Sequence, residues 1–91
     1  MPYIKKVRRE VLDSVGLRGM CNEIKNTINE FVAGDLNYII TRLCLAYLSR
    51  GENYNRYNEI IGVLECAKME MYRRKVSKYE DKKIEENGDV Y

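Results

Sequence analysis

The chain has 91 residues and contains neither histidine nor tryptophan. The lack of histidine excludes Ser–His and Cys–His nucleophilic pairs, His-containing metal sites and the usual general base of near-neutral pH. No P-loop, GxGxxG or HExxH pattern is present either. The one proline is Pro2, at the N-terminus, so proline interrupts no later helix. We therefore expect a protein that binds a ligand without chemistry, with no metal, no cofactor and no catalytic residue.

The three cysteines are Cys21, Cys44 and Cys66, far apart and with no CxxC pair. This scattered, odd-numbered set predicts reduced, buried thiols and not a disulfide framework or a zinc site. No apolar run approaches the roughly 18 residues of a membrane span, and the basic N-terminus lacks the apolar core of a signal peptide. We expect a cytoplasmic protein without membrane contact.

The net charge is nearly zero, with 16 Lys and Arg against 14 Asp and Glu. A domain that binds nucleic acid over its whole surface usually has a larger basic excess. Any site for an anion must therefore be local. The charges are indeed concentrated, since cations dominate the N-terminal segment 1–15 and charged residues of both signs fill the C-terminal tail 77–91.

Apolar residues recur at helical spacing almost throughout the chain, and no alternation typical of a strand occurs. The pattern is weak over 3–15, stronger over 17–32, strongest over 36–48, and resumes from Tyr57. Asp35 is a candidate helix N-cap, and Asn53 or Asn55 is a candidate cap for the last helix. The sequence predicts one all-α domain over 1–91, a small antiparallel helical bundle or hairpin with a long C-terminal helix.

The last helix is longer than any partner within the chain. From Asn55 nothing breaks it before Asn87, which allows about 48 Å, against about 22 Å for the helix before it. The overhang is either a solvated or fraying tail or a surface that packs in a homo-oligomer. We favour the oligomer because so short a chain has a thin core. Its contacts would then be Tyr72, Val76, Tyr79 and Ile84.

Two basic clusters accompanied by tyrosines make a nucleotide the favoured ligand. Lys5, Lys6, Arg8 and Arg9 form the first, and Arg73, Arg74 and Lys75 the second. Guanidinium groups bind phosphates and aromatic rings stack on bases. Solvated helix faces show similar charge runs, and Asn and Tyr also serve in caps and corners. The candidate ligand-binding residues are Tyr3, Lys5, Arg8, Arg9, Asn37, Tyr38, Thr41, Arg42, Tyr72, Arg73 and Arg74.

Four sequence blocks resemble a family of small uncharacterised helical proteins from phages and bacteria. They are MPYIKK at 1–6, LNYIITR at 36–42, NEIIGVLECAK at 58–68 and YEDKKIEENGDVY at 79–91. The stretch 14–33 is weakly hydrophobic and less characteristic of that family. The resemblance implies a phage or prophage setting, hence the cytosol of a bacterial host, but no activity.

A looser likeness of size, helicity and residue types links the chain to phage sponge proteins, which sequester nucleotide second messengers of bacterial immunity in CBASS and Thoeris systems. This likeness implies a homo-oligomer that captures a cyclic nucleotide or an ADP-ribose-type signal between protomers, as an anti-defence protein. Arg8, Arg9, Arg73 and Arg74 would then contact phosphates. The stacking residues would be Tyr3, Tyr38 and Tyr72, and the residues that bond ligand edges would be Asn37, Thr41 and Arg42.

Two other functions remain open at this point. The basic N-terminus is compatible with a nucleic-acid-binding accessory or regulatory protein, although the near-zero net charge speaks against it. The chain could also be a helical protein-interaction module, because Leu45 and Val63 lie off the apolar stripes of their helices and suit an interface better than water.

Overall fold

The computed structural model describes residues 4–91, and these residues are helical apart from short connections and chain ends. Two π-helical turns, Asp13–Leu17 and Tyr72–Val76, interrupt otherwise α-helical segments. No strand occurs between residues 4 and 91, which confirms the predicted all-α fold. The α-helices are α1 (Lys6–Leu12), α2 (Arg18–Asn26), α3 (Ala33–Leu48), α4 (Tyr54–Met71) and α5 (Ser77–Asn87).

The first two helices form an N-terminal arm, which we define as residues 4–26. The arm bends at Gly16, whose φ of +144° is a conformation that side chains with a Cβ rarely adopt. The predicted helix over 17–32 is too long, because α2 ends at Asn26. The amides of Thr27 and Ile28 both donate to the Glu23 carbonyl and close the helix there. β-branched residues follow in a stretch of low helix propensity.

The starts of α3 and α4 are fixed by side-chain oxygens. Asp35 is not the N-cap that the sequence suggested, because α3 already begins at Ala33. Asp35 instead accepts a hydrogen bond from the Val32 amide at 2.9 Å, within the first turn. Asn53 does cap α4, and its Oδ1 accepts from the Arg56 amide at 2.9 Å. Of the two asparagines considered as caps, the structure selects Asn53.

The predicted long C-terminal helix is confirmed. It runs from Tyr54 through α4, one π-helical turn and α5 to Asn87, about 50 Å of helix. The C-terminal tail is therefore helical as far as Asn87, and Gly88, with a φ of +87°, ends it. Only its first part has a partner, since α3 packs against α4 while α5 contacts no helix beyond the adjoining turn.

No residue of the described chain is buried, so the expected hydrophobic core is absent from the protomer. Apart from segments that follow one another directly, the sole contact between described helices is that of α3 with α4. Even the strong stripe of α3 stays open, with Leu36 50% and Leu43 59% exposed. Two helices alone can shield only one side of each apolar stripe, and no third helix covers the other side.

The dimensions of the chain agree with this open architecture. Its radius of gyration is 16.8 Å, whereas a compact domain of this length has about 12 Å. Its accessible surface is 8391 Å², against about 5,500 Å² for a compact monomer of this mass. The chain therefore exposes much more surface than a compact monomer of its size, and many large apolar side chains of the described residues are exposed.

The three cysteines also reflect the absence of a buried core in the described residues. All three are free thiols, as the sequence predicted. They are not buried within the protomer, because Cys21 and Cys66 are exposed and Cys44 is half-buried. The predicted burial depended on a core that one chain does not form.

Candidate functional site

The cations of α1 form the most open charged surface among the candidate residues. Lys5 caps α1 without a side-chain hydrogen bond, and the residues from Lys6 to Arg9 follow on its first turn, all exposed. Neither Arg8 nor Arg9 forms an ion pair in the part of the chain that the structure describes. This surface can therefore accept phosphate oxygens without first giving up an intramolecular carboxylate. Tyr3, the stacking candidate beside it, lies outside the described residues.

The second basic cluster is already engaged by carboxylates of its own helix. Arg73 Nη2 lies 2.6 Å from Glu70 Oε1, and Arg74 Nη1 lies 3.7 Å from the same oxygen. The hydroxyl of Tyr72 donates to Glu80 Oε1. This hydrogen bond to a carboxylate, followed by the charge of Glu80 itself, raises the pKa of Tyr72 above its usual value. An incoming phosphate would have to compete with Glu70 for these arginines.

The candidate residues on α3 are exposed to solvent, and one of them forms a hydrogen bond within its own helix. Thr41 Oγ1 donates to the carbonyl oxygen of Asn37 at 2.9 Å, a bond within one helical turn. Tyr38 is 65% exposed, and Arg42 is also exposed. These exposed side chains therefore provide an aromatic ring and a cation for a ligand, but they do not form an enclosed pocket.

The candidate residues do not meet in one place within the protomer. Helix α1 contacts only the turn that follows it, α3 contacts only α4, and the turn Tyr72–Val76 contacts only the two helices that flank it. Three separate surfaces therefore carry the described candidates. A site that uses more than one of them needs side chains from more than one protomer.

The structure shows an apolar groove that the sequence did not single out. It has a volume of about 330 Å³ and lies between α3 and α4. Of the residues considered beforehand as unusual, only Val63, marked by its position off the apolar stripe, belongs to it. The other lining residues, apart from Glu59, occupy stripe positions and look like ordinary core from the sequence. The groove is lined by Ile40, Leu43, Cys44, Tyr47, Glu59, Ile60, Val63 and Leu64.

One polar network closes the edge of this groove. The Tyr47 hydroxyl donates to Glu59 Oε1 at 2.9 Å, and the Arg56 guanidinium lies 5.1 Å from the centre of the Tyr47 ring. The hydrogen bond to Glu59 is the main reason that the pKa of Tyr47 is raised. Because the negatively charged Glu59 already accepts the hydrogen bond of the Tyr47 hydroxyl, the groove as a whole suits apolar side chains better than an anion.

Within residues 4–91 no group of His, Cys, Asp and Glu side chains is placed to hold a metal ion. Among the described helices none is both long and apolar enough to span a membrane.

Comparison with known proteins places the chain in a family. No curated protein and no solved structure matches it. A family model, described as a domain of unknown function, matches residues 1–90, nearly the entire chain. The chain therefore belongs to the DUF6899 family, an uncharacterised family with no assigned activity.

Proposed function

We propose that this protein is the subunit of a homo-oligomer that captures a phosphate-bearing nucleotide without chemical change, as a phage-type sponge for an immune second messenger. The ligand class is inferred from the cations of α1. Arg8 and Arg9 are exposed and have no carboxylate partner within the described chain. In a chain of nearly balanced charge, such an unpaired cluster is a local anion site.

The open shape of the protomer supports the oligomeric part of the proposal. A ligand site normally encloses most of a small molecule's surface, and no residue of the described chain is buried. The candidates on α1 and α3 lie on separate surfaces of one chain. Self-association can bring the arm of one copy to another copy, so that two incomplete surfaces form one pocket.

The roles of the candidate residues follow from their surroundings. We assign the phosphate contacts to Lys5, Arg8 and Arg9, because Arg73 and Arg74 already contact Glu70. The exposed ring of Tyr38 and the exposed Arg42 remain for the base and the edges of the ligand. Stacking of a base on such a ring contributes about 1–3 kcal/mol.

Calorimetric titration of the purified protein tests the proposal. The probes are a panel of cyclic dinucleotides and cyclic ADP-ribose-type compounds, and chromatography after incubation checks that they are recovered unchanged. We expect saturable binding, a rise in melting temperature with ligand concentration, and intact ligand. Absence of both heat and thermal stabilisation across the panel would refute the capture of these nucleotides.

A pair of double variants assigns the site. We expect Arg8→Ala with Arg9→Ala to weaken binding by about tenfold or more, because charge-assisted hydrogen bonds to phosphate are lost. The control is Arg18→Ala with Lys25→Ala, which removes two cations from the same arm but leaves α1 intact. Equal loss in both double variants would mean that only the total charge of the arm matters.

Binding to nucleic acid is distinguished by its dependence on salt. A protein that neutralises several phosphates of DNA loses affinity steeply as the salt concentration rises. We expect duplex and single-stranded DNA to bind weakly, because the net charge of the chain is only +2. Tight binding to DNA with a steep salt slope, together with no binding of the nucleotide panel, would favour the regulatory alternative.

The groove between α3 and α4 favours a second candidate function, a helical protein-interaction module. Its lining is apolar apart from Glu59 and the Tyr47 hydroxyl, which bond to each other. Such a groove binds the apolar face of a helix. If purified protein binds no nucleotide, and Leu43→Lys abolishes binding to a different protein, the interaction module becomes the better description.

A further inference from the structure

The N-terminal arm is amphipathic but packs against no other helix of the described residues. Its apolar stripe includes Val7, Val11 and Val15, which are 66%, 44% and 75% exposed. Neither α1 nor α2 contacts α3, α4 or α5. An amphipathic helix gains most of its stability from burying its apolar face, so this arm needs a partner surface that its own chain does not supply in this arrangement.

The groove between α3 and α4 is a concave apolar surface. Its α3 wall runs from Ile40 to Tyr47, about 10 Å along the helix, and it offers about 330 Å³. The stripe from Val7 to Val15 spans about 12 Å if helical throughout. The two surfaces therefore match in length and in apolar character.

We propose that the arm of one copy of this chain docks into the α3/α4 groove of a second copy, so that the protein assembles by arm exchange. The stripe of α1 would lie against Ile40, Leu43 and Val63 of the acceptor copy. The proposal extends the self-association in the proposed function and is independent of the ligand.

The surface area of the chain supports a second copy of the chain as the occupant of the groove. The chain exposes 8391 Å², an excess of about 2,900 Å² over a compact monomer of this mass. If each of two copies buried that excess, the interface would total about 5,800 Å², which is in the range of obligate assemblies. A small peripheral contact would leave most of the excess exposed.

Charge also favours the arm as the donor segment. The arm, 4–26, carries six cations and three carboxylates, whereas the α3–α4 region, 33–71, carries four cations and five carboxylates. The two surfaces therefore attract each other weakly. Helix α5 contacts no described helix beyond the adjoining turn either, but its apolar side chains are few. One of them, Tyr79, has the ammonium of Lys83 5.5 Å from its ring centre.

The bend at Gly16 and the connection after α2 make exchange geometrically accessible. Gly16 sets the direction of α1 relative to α2 through its positive φ. Residues 27–32 join α2 to α3 without regular helix, and six extended residues reach about 20 Å. A connection of this kind allows an arm to pack on its own chain or on a neighbour, which is the condition for exchange.

Disulfide trapping on the full-length chain tests the proposal, because Cys44 lines the groove. Cys21 and Cys66 are first replaced by serine, which leaves Cys44 as the sole thiol. Val7→Cys, Val11→Cys and Val15→Cys are then introduced one at a time. After mild oxidation we expect at least one of them to give a covalent dimer. Mass-spectrometric peptide mapping should show that an arm cysteine is joined to Cys44.

Two controls make the result specific. Lys6→Cys places a thiol on the polar side of α1 and should give much less of this cross-link. The parent with Cys44 alone reports direct packing of two α3–α4 hairpins, which would appear as a Cys44–Cys44 dimer in every variant. Circular dichroism checks that each variant keeps the helicity of the parent.

Four results would overturn arm exchange. A monomer with an internal arm–Cys44 disulfide would place the arm in the groove of its own chain. Exclusive Cys44–Cys44 dimers would place a second hairpin there, and equal cross-linking of Lys6→Cys would show that the contact is not specific. Absence of a cross-link in every variant would show that the arm does not occupy the groove. None of these results depends on nucleotide binding, so failure of the arm exchange and failure of nucleotide capture are separately visible.

Discussion

The hydroxyl of Tyr47 on α3 donates to the Glu59 carboxylate on α4 at 2.9 Å, across the hairpin. The bond joins residues of α3 and α4, the one pair of described helices that pack across a loop and are not continuous along one helical segment. Arg56 lies over the same ring, so the phenol is held from two sides. This contact positions one edge of the apolar groove and gives the hairpin a pH-sensitive component.

The first prediction concerns that hydrogen bond. Because its acceptor is a carboxylate, the pKa of Tyr47 in the folded chain is raised above its unfolded value. A raised pKa contributes stability that is fully present below about pH 10 and is lost as the pH rises through the folded value. Glu59→Gln should lower the pKa of Tyr47 toward the usual value and reduce this loss, as measured by NMR titration of the tyrosine ring carbons.

Tyr57 provides the internal control for that titration. Its hydroxyl donates to Glu52 Oε1 at 2.7 Å, and this bond raises its pKa as well. Glu59→Gln leaves that pair intact, so the pKa of Tyr57 should not change. If both tyrosines shifted together, the change would report a general loss of structure and not the removal of one acceptor.

The second prediction compares two leucines of α3. Leu43 lines the groove and is 59% exposed in the protomer, whereas Leu45 lies outside the groove and is 49% exposed. A lysine inside an interface costs several kcal/mol of desolvation, while on an open surface it costs little. Leu43→Lys should therefore shift the protein toward the 10.8 kDa monomer in analytical ultracentrifugation, and Leu45→Lys should leave the assembly intact.

The reverse outcome for this pair would be equally informative. Leu45 is apolar and off the stripe of α3, which is why the sequence marks it as an interface candidate. If Leu45→Lys dissociated the assembly and Leu43→Lys did not, the outer face of α3 would be the contact surface, and the groove would have no role in assembly.

The third prediction follows from the missing core. If association supplies the burial that residues 4–91 lack within one chain, the melting temperature should depend on protein concentration. For a dimer, a hundredfold rise in protein concentration stabilises the assembly by about 2.7 kcal/mol. This corresponds to an increase of about 5–10 °C in melting temperature by circular dichroism. A melting temperature that is unchanged between micromolar and hundred-micromolar protein would show that single chains are stable alone.

The fourth prediction compares two glycines of the arm. Gly16 has a φ of +144°, and Gly19 lies inside α2, with no atom near the position of an added Cβ at either site. Gly16→Ala should destabilise the protein by about 1 kcal/mol or more, because the backbone there disfavours a Cβ. Gly19→Ala should stabilise it by roughly 1 kcal/mol, because alanine is the better helix former. Thermal melts at one concentration measure both.

If Gly16→Ala were as stable as the parent, the bend in the arm would not be required. The arm could then form a continuous helix, and its direction relative to the hairpin would change. Cross-linking of Val11→Cys to Cys44 in that background would show whether docking of the arm depends on the bend.

The sequence by itself determined the local structure. Apolar residues at helical spacing without proline after Pro2 made every long segment a helix, and the stretch from Tyr54 to Asn87 contains no effective breaker. Helices and most of their ends depend on neighbours within a few residues, which a sequence displays directly. The errors, the cap at Asp35 and the extension of α2 beyond Asn26, arose where several residues compete for one helix end.

Tertiary structure alone decided which apolar stripes have a partner. The stripe of α3 reads as core from the sequence, yet Leu43 is left at the wall of an open groove. An apolar stripe indicates that a helix must bury one face, but it does not identify the partner surface. Burial depends on contacts between segments that are distant in the sequence. Among the described helices α3 packs on α4, while the arm and α5 contact none beyond the turns that adjoin them.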